Sequence, residues 1–202
     1  MKSALDVHRE LLAADVAHEM LRLRSPIVGA DDLPDALGVD AAACVAIRCY
    51  RTIGRDGSSL LCAVMVRAGD TPDPAALLDA LDAVSVRAAT AAEVNQSTDY
   101  AAGLVSPLCL PDDVSLLADA ALGGAEVLYA ATGESGVAVA IRTRNLLVAA
   151  NARVTTLTAR PLAAEERSGW TFGTGMEAPA GRVLTLTGSR QLTRTRSTRR
   201  TG

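Results

Sequence analysis

Apolar positions along this chain change their spacing several times, and each change predicts a different element. Ala4, Leu5, Leu11 and Leu12 recur at roughly helical intervals behind Ser3, a good capping residue, so residues 3–14 read as an amphipathic helix. Residues 18–24 alternate as a short strand does, and Ser25-Pro26 closes it. Residues 31–37 begin with two acids and stop at Gly38, which predicts a short helix. Two apolar runs, 43–50 and 59–66, flank the turn-rich segment from Arg51 to Gly57 and predict an antiparallel hairpin. Pro74 opens a helix over 74–83 with Leu77, Leu78 and Leu81 on one side. Thr90 and Glu93 have the spacing of a capping box ahead of a helix over 91–97. Short buried strands are predicted over 114–117, 126–130 and 136–142, then a helix over 143–149 and a last strand over 153–157. Helices interspersed among hairpins predict an α+β (mixed α/β) fold with a largely antiparallel or mixed sheet, and not a doubly wound nucleotide fold.

The pattern breaks near Ala159, where Pro161, Gly169, Gly173, Gly175, Pro179 and Gly181 arrive at close intervals. This divides the 202 residues into a domain over 1–158 and a Gly/Pro/Arg-rich extension over 159–202, with at most an edge strand over 182–187 and otherwise expected to be disordered. With 49% hydrophobic residues the chain can bury one good core, made from Ala, Val and Leu because it has only three Tyr, one Trp and one Phe. A base-stacking surface of aromatics is therefore not expected. The net charge of −3 hides an asymmetry, since Arg190, Arg194, Arg196, Arg199 and Arg200 crowd the end, able to contact phosphates, and leave an acidic body.

No apolar run is long enough to span a membrane and the N-terminus lacks a signal-peptide core, so a soluble cytoplasmic protein is expected. Cys44, Cys49, Cys62 and Cys109 sit apart in apolar contexts and read as reduced core residues. No lysine-bearing phosphate loop is present, and no cofactor is implied. Oligomeric state is not specified by the sequence.

The stretch from Tyr100 to Pro111 concentrates backbone-shaping residues around one hydroxyl. Gly103 can reach positive φ or let a ligand approach its main chain, while Pro107 locks its own φ and pushes Ser106 toward an extended conformation. Such a run suits a loop that holds a ligand, and equally a turn entering a buried strand. Ser106 lacks the Gly-x-Ser-x-Gly setting of a hydrolase nucleophile. Asp119 reads as a cap, His8 as exposed, and His18 as a surface residue or pocket wall.

Over residues 3–158 the element order resembles the YbaK family, also called the prolyl-tRNA editing or aminoacyl-tRNA synthetase-associated domains. The residues that carry the resemblance run from Ala30 to Val39, from Ala91 to Val94, through Tyr100, Gly103, Ser106 and Pro107, and from Gly136 to Leu147. The resemblance implies a mixed, barrel-like β-sheet surrounded by short helices, with a pocket for the aminoacylated 3′ end of a tRNA. It implies a free-standing deacylase that hydrolyses the ester of mischarged tRNA, with aminoacyl-tRNA as partner. The alternative is a catalytically impaired module on the same fold that binds a tRNA end, an aminoacyl group or a protein partner.

In the family a lysine at the start of the first central strand holds the substrate; here Ala46 takes that position. The acid sometimes found on the closing strand falls at or near Ala138, and the loop's usual second glycine is Leu104. The only lysine, Lys2, lies in an N-terminus expected to be mobile. Arg48 shares a strand face with position 46 and is the expected substitute cation, with Ser106 and the Gly103 main chain orienting the ester. Tyr100, Leu104, Pro107, Ala46 and Ala138 are the expected substrate-pocket positions.

Overall fold

The computed structural model describes residues 1–158. The strand expected over 182–187 and the arginine cluster after it lie outside the described residues. Helix α1 (Ala4–Ala13) begins where expected, because the Ser3 main-chain N–H and hydroxyl both donate to Asp6 Oδ2 at 2.8 Å. Its Val7 and Leu11 are fully buried. Strand β1 (His18–Arg22) follows and is tied back to α1 by its first residue. His18 Nδ1–H donates to the Val16 carbonyl at 2.7 Å, leaving Nε2 to accept from His8 Nδ1 at 2.7 Å. His8 is thus half-buried against His18 rather than exposed.

A turn of 3₁₀ helix (Ala30–Asp32) leads into α2 (Leu33–Leu37), which ends at Gly38 with φ 70°. The hairpin of β2 (Cys44–Gly54) and β3 (Ser59–Arg67) is antiparallel, in register from Val45↔Arg67 to Ile53↔Ser59. It is longer than the sequence pattern suggests. Thr52 and Ile53, both β-branched, stay in the ladder, so the turn shrinks to the residues around Asp56, whose Oδ1 accepts from the Ser58 N–H at 2.9 Å.

Helix α3 (Pro74–Leu81) is followed by β4 (Ala83–Ala88), a strand not expected from the sequence. The alternation of Val84 and Val86 with Ser85 and Arg87 was the available signal. Helix α4 (Ala91–Thr98) carries the Thr90/Glu93 capping box. Then come β5 (Ser115–Asp119), β6 (Val127–Ala131), β7 (Val137–Arg142), α5 (Thr143–Ala149) and β8 (Arg153–Thr155). Asp119 does cap the turn after β5, accepting from the Ala121 N–H at 2.9 Å.

Among the described residues the strands form one eight-stranded mixed sheet ordered β1-β7-β6-β2-β3-β5-β8, with β4 also paired to β2. The β2–β6, β3–β5 and β5–β8 pairs are parallel, which produces the mixed α/β character read from the sequence. Both faces of β3 are covered. Leu61, Ala63 and Met65 pack with Val7, Leu11 and Leu146, whereas Cys62, Val64 and Val66 pack with Leu33 and Leu77 on the other face. Each large side chain buried there stabilises the fold by about 1.5–3 kcal/mol.

Candidate active site

The site begins with a gap in the sheet. One edge of β2 pairs with β6 only at Cys44 and Val45, and with β4 only from Tyr50 onward. Residues 46–49 lie between the two diverging partners, anchored at one end by the Ala89 N–H donating to the Cys49 carbonyl at 2.9 Å. A cleft of ≈ 260 Å³ opens beside this gap. Its walls include Ile47, Arg48, Cys49 and Tyr50 from β2, Ala88 and Ala89 from the β4 end, and Ala102, Gly103 and Val105 from the loop. Arg48 and Gly103, two of the residues singled out from the sequence, therefore meet here.

Arg48 is held on several sides. Its Nη1 and Nη2 donate to the two carboxylate oxygens of Asp31 at 2.9 and 2.7 Å, and its Nε and Nη2 both donate to the Asp70 carbonyl at 3.2 Å. Asp31 also accepts from the Gly69 N–H at 2.8 Å. The fork geometry of guanidinium matches the carboxylate, a match lysine cannot make. Hydrogen bonding to Arg48, opposed by partial burial and helped by Gly69, holds the Asp31 carboxyl below the ordinary carboxylate range. One Nη1 N–H of Arg48 is left without a partner among the described residues. Asp31 reads from the sequence only as a helix-opening acid and Asp70 has no assigned role, because their partner Arg48 lies 17 and 22 residues away.

Gly103 has φ 90°, and a Cβ there would lie 3.2 Å from the Val28 carbonyl, so the position requires glycine. Its carbonyl accepts from the Ala30 N–H at 2.9 Å, while its own N–H is unpaired among the described residues. Ala102 is fixed by Asn95, whose Oδ1 accepts its N–H at 2.8 Å. Gly103 thus lines the cleft with a main-chain N–H that has no partner among the described residues.

The structure does not bring Ser106 there. It is fully buried, and its hydroxyl oxygen accepts from the Leu108 N–H at 3.3 Å, so it braces its own turn. Tyr100 is also fully buried and donates to the Leu108 carbonyl at 2.9 Å. Pro107 lines a separate, larger cavity of ≈ 540 Å³ with Glu10, Asp112 and Arg153, away from Arg48 and Gly103. Lys2, expected only in a mobile N-terminus, is tied to the loop region at three points. Its N–H donates to the Asp99 carbonyl at 2.8 Å, its Nζ donates to the Cys109 carbonyl, and the ammonium lies 5.7 Å from the Tyr100 ring centroid.

Ala46, Leu104 and Ala138 also fail to line the cleft. All three belong to one buried apolar cluster, and Ala46 and Ala138 have no exposed surface. The three positions where polar or permissive residues were expected thus meet as core. In the cleft itself burial pushes the Cys49 thiol up to about 11, and burial raises the Tyr50 phenol against the opposing influence of Arg48. Both stay protonated near neutrality and neither serves as a base. No group of His, Cys, Asp and Glu among the described residues is arranged to hold a metal ion, and no described helix is long and apolar enough to cross a membrane.

The fold is shared with solved structures. The hypothetical protein APE2540 superposes with a TM-score of 0.69 at 22% identity, over 76% of this chain and 99% of that one. A candidate trans-editing enzyme for prolyl tRNA synthetase superposes with a TM-score of 0.65 at 21% identity, over 78% of this chain and 97% of that one. No curated protein matches the sequence. The profile of the aminoacyl-tRNA editing domain matches residues 24–148, a span that contains β2, the Arg48 clamp and the Gly103 loop. The chain belongs to the aminoacyl-tRNA editing domain family.

Proposed function

We propose that this protein removes a wrongly attached amino acid from tRNA by hydrolysing the ester at the 3′ end, with the substrate's own ribose hydroxyl positioning the water. The observation that carries the reading is the cleft beside residues 47–50, where the Gly103 N–H and one Arg48 N–H both remain free to donate. Water attacks the ester carbonyl, and the negative charge that develops on its oxygen is met by the Gly103 main chain. The C–O bond to the ribose then breaks, and the departing oxygen takes up the proton that the attacking water gives up, relayed by the neighbouring ribose hydroxyl, to leave a free amino acid and tRNA. Arg48 stays protonated throughout and contributes a fixed positive charge, not proton transfer. Ser106 acts indirectly, by bracing the turn that follows Gly103.

The polyanionic substrate calls for cations, and acidic side chains outnumber them in the body. Residues 1–158 carry 12 basic and 20 acidic side chains, and 159–202 carry 8 and 3. Arg48, Arg51, Arg55, Arg67 and Arg87 are engaged in ion pairs within the body. Arg190, Arg194, Arg196, Arg199 and Arg200 are therefore the proposed phosphate contacts. Replacing these five with Gln should lower the salt dependence of tRNA binding by about 3–5 in log–log slope. An unchanged slope removes this part of the reading.

A second reading is favoured by the apolar sealing of Ala46, Leu104 and Ala138. The cleft then binds the aminoacylated end without cleaving it. Incubation with a panel of mischarged tRNAs separates the two: release of the amino acid supports the deacylase, and saturable binding without release supports the binding module.

A further inference from the structure

Tyr50 is the one aromatic side chain lining the cleft. The chain has few rings, and the others are committed elsewhere or lie outside the described residues: Tyr100 is fully buried, Tyr129 packs against the core, and Trp170 and Phe172 fall beyond residue 158. Tyr50 is half-buried, one side of it packed against the apolar cluster that contains Ala46 and Val64. Its cross-strand neighbours are small, Ala88 on β4 and Cys62 on β3, so the ring stands above them. Among the described residues no second ring and no cation lies over it, and its hydroxyl has no hydrogen-bond partner. Ala88, Ala89, Ala91 and Ala102 make the neighbouring wall, giving room without any π surface.

We infer that Tyr50 is the platform on which the 3′-terminal adenine of the RNA stacks when the aminoacyl end enters the cleft. The inference rests on the tRNA-editing reading given above. A flat base needs a flat apolar partner, and stacking tolerates the absence of base-specific hydrogen bonds. An extended aromatic surface is ruled out by the composition, but a single terminal base requires only one ring. Seated on Tyr50, the nucleoside has Arg48 and Gly103 lining the same cleft, where the sugar and ester follow.

The test uses the full chain and a CCA-ended RNA microhelix with 2-aminopurine as its 3′-terminal base, whose fluorescence falls when it stacks. Wild type, Tyr50→Phe and Tyr50→Trp should bind and quench. Tyr50→Leu, which keeps an apolar side chain but no π face, should bind about 5- to 150-fold more weakly, with the quench lost at saturation. Thermal unfolding of each variant confirms that it is folded. If Tyr50→Leu does not fold, the comparison of Phe with Trp still decides, since the larger ring should bind at least as tightly and a Trp variant that binds without quenching contradicts the assignment. Equal affinity and undiminished quench in Tyr50→Leu overturn the stacking role alone. Failure of every protein, wild type included, to bind the RNA removes the editing reading and this inference with it.

Discussion

The turn between β6 and β7 contains two glycines that should respond very unequally to the same substitution. Gly133 has φ 92°, and a Cβ added there would lie 2.6 Å from the Lys2 carbonyl and 2.8 Å from Tyr100 Cδ1. Gly136 has open space around its Cβ position. For Gly133→Ala the left-handed backbone costs about 1–2 kcal/mol and overpacking costs about 1–3 kcal/mol. Reduced freedom of the unfolded chain returns about 0.4–1 kcal/mol. The net expectation is a loss of about 1–5 kcal/mol, against a change within about 0.5 kcal/mol for Gly136→Ala.

The Lys2 main chain and the Tyr100 ring must both yield, and Tyr100 holds the Leu108 carbonyl. The loop beyond Gly103 should therefore loosen together with the loss of stability. Urea unfolding of the two variants beside wild type gives the stability difference from the shift in midpoint at constant slope. Alkylation of Cys109, which follows Leu108, reports the loosening. Equal stability of Gly133→Ala and wild type would refute the packing of Tyr100 against this turn.

Asp31→Asn should destabilise the protein at neutral pH by breaking the Arg48 fork. Because the Asp31 carboxyl is held below its ordinary range, its contribution is present above the unfolded value of about 3.9 and is lost as pH falls through the folded one. The gap in melting temperature between variant and wild type should thus narrow below about pH 4; a constant gap contradicts the ion pair. Burial raises the Cys49 and Cys109 thiols to about 11 and about 12. Iodoacetamide at pH 8 should therefore modify the native protein far more slowly than the urea-unfolded one, and equal rates would contradict this. Ala46→Lys should add no activity, since position 46 is core: it should lose stability at pH 7 and regain part of it toward pH 10, as the pH nears the unfolded amine's pKa of about 10.4 and the cost of burying it neutral falls. A gain in deacylation with unchanged stability would refute this placement.

Much of the fold was legible because its signals are local. Ser3 with Asp6, Thr90 with Glu93, and Gly38 after Leu37 each mark a helix end within a few residues. The strand Ala83–Ala88 was harder to see, since it follows α3 after a single residue, Asp82, and its apolar alternation is brief. The site was half legible. Gly103 can be read from the turn chemistry around it, and Arg48 from strand alternation. Ser106 and Ala46 were misplaced because sequence gives the face of a strand or the stiffness of a loop but not what packs over it. Asp31 and Asp70 enter only through long-range contacts with Arg48, which no local pattern announces.

The proposed hydrolysis in the cleft depends on help from the substrate's own hydroxyl. Its most direct test is single-turnover hydrolysis of a mischarged tRNA ending in adenosine beside the same tRNA ending in 2′-deoxyadenosine. Protein-dependent release of the amino acid is expected from the first and none from the second. Equal release from both, or binding of both with release from neither across the panel of mischarged tRNAs, would contradict it.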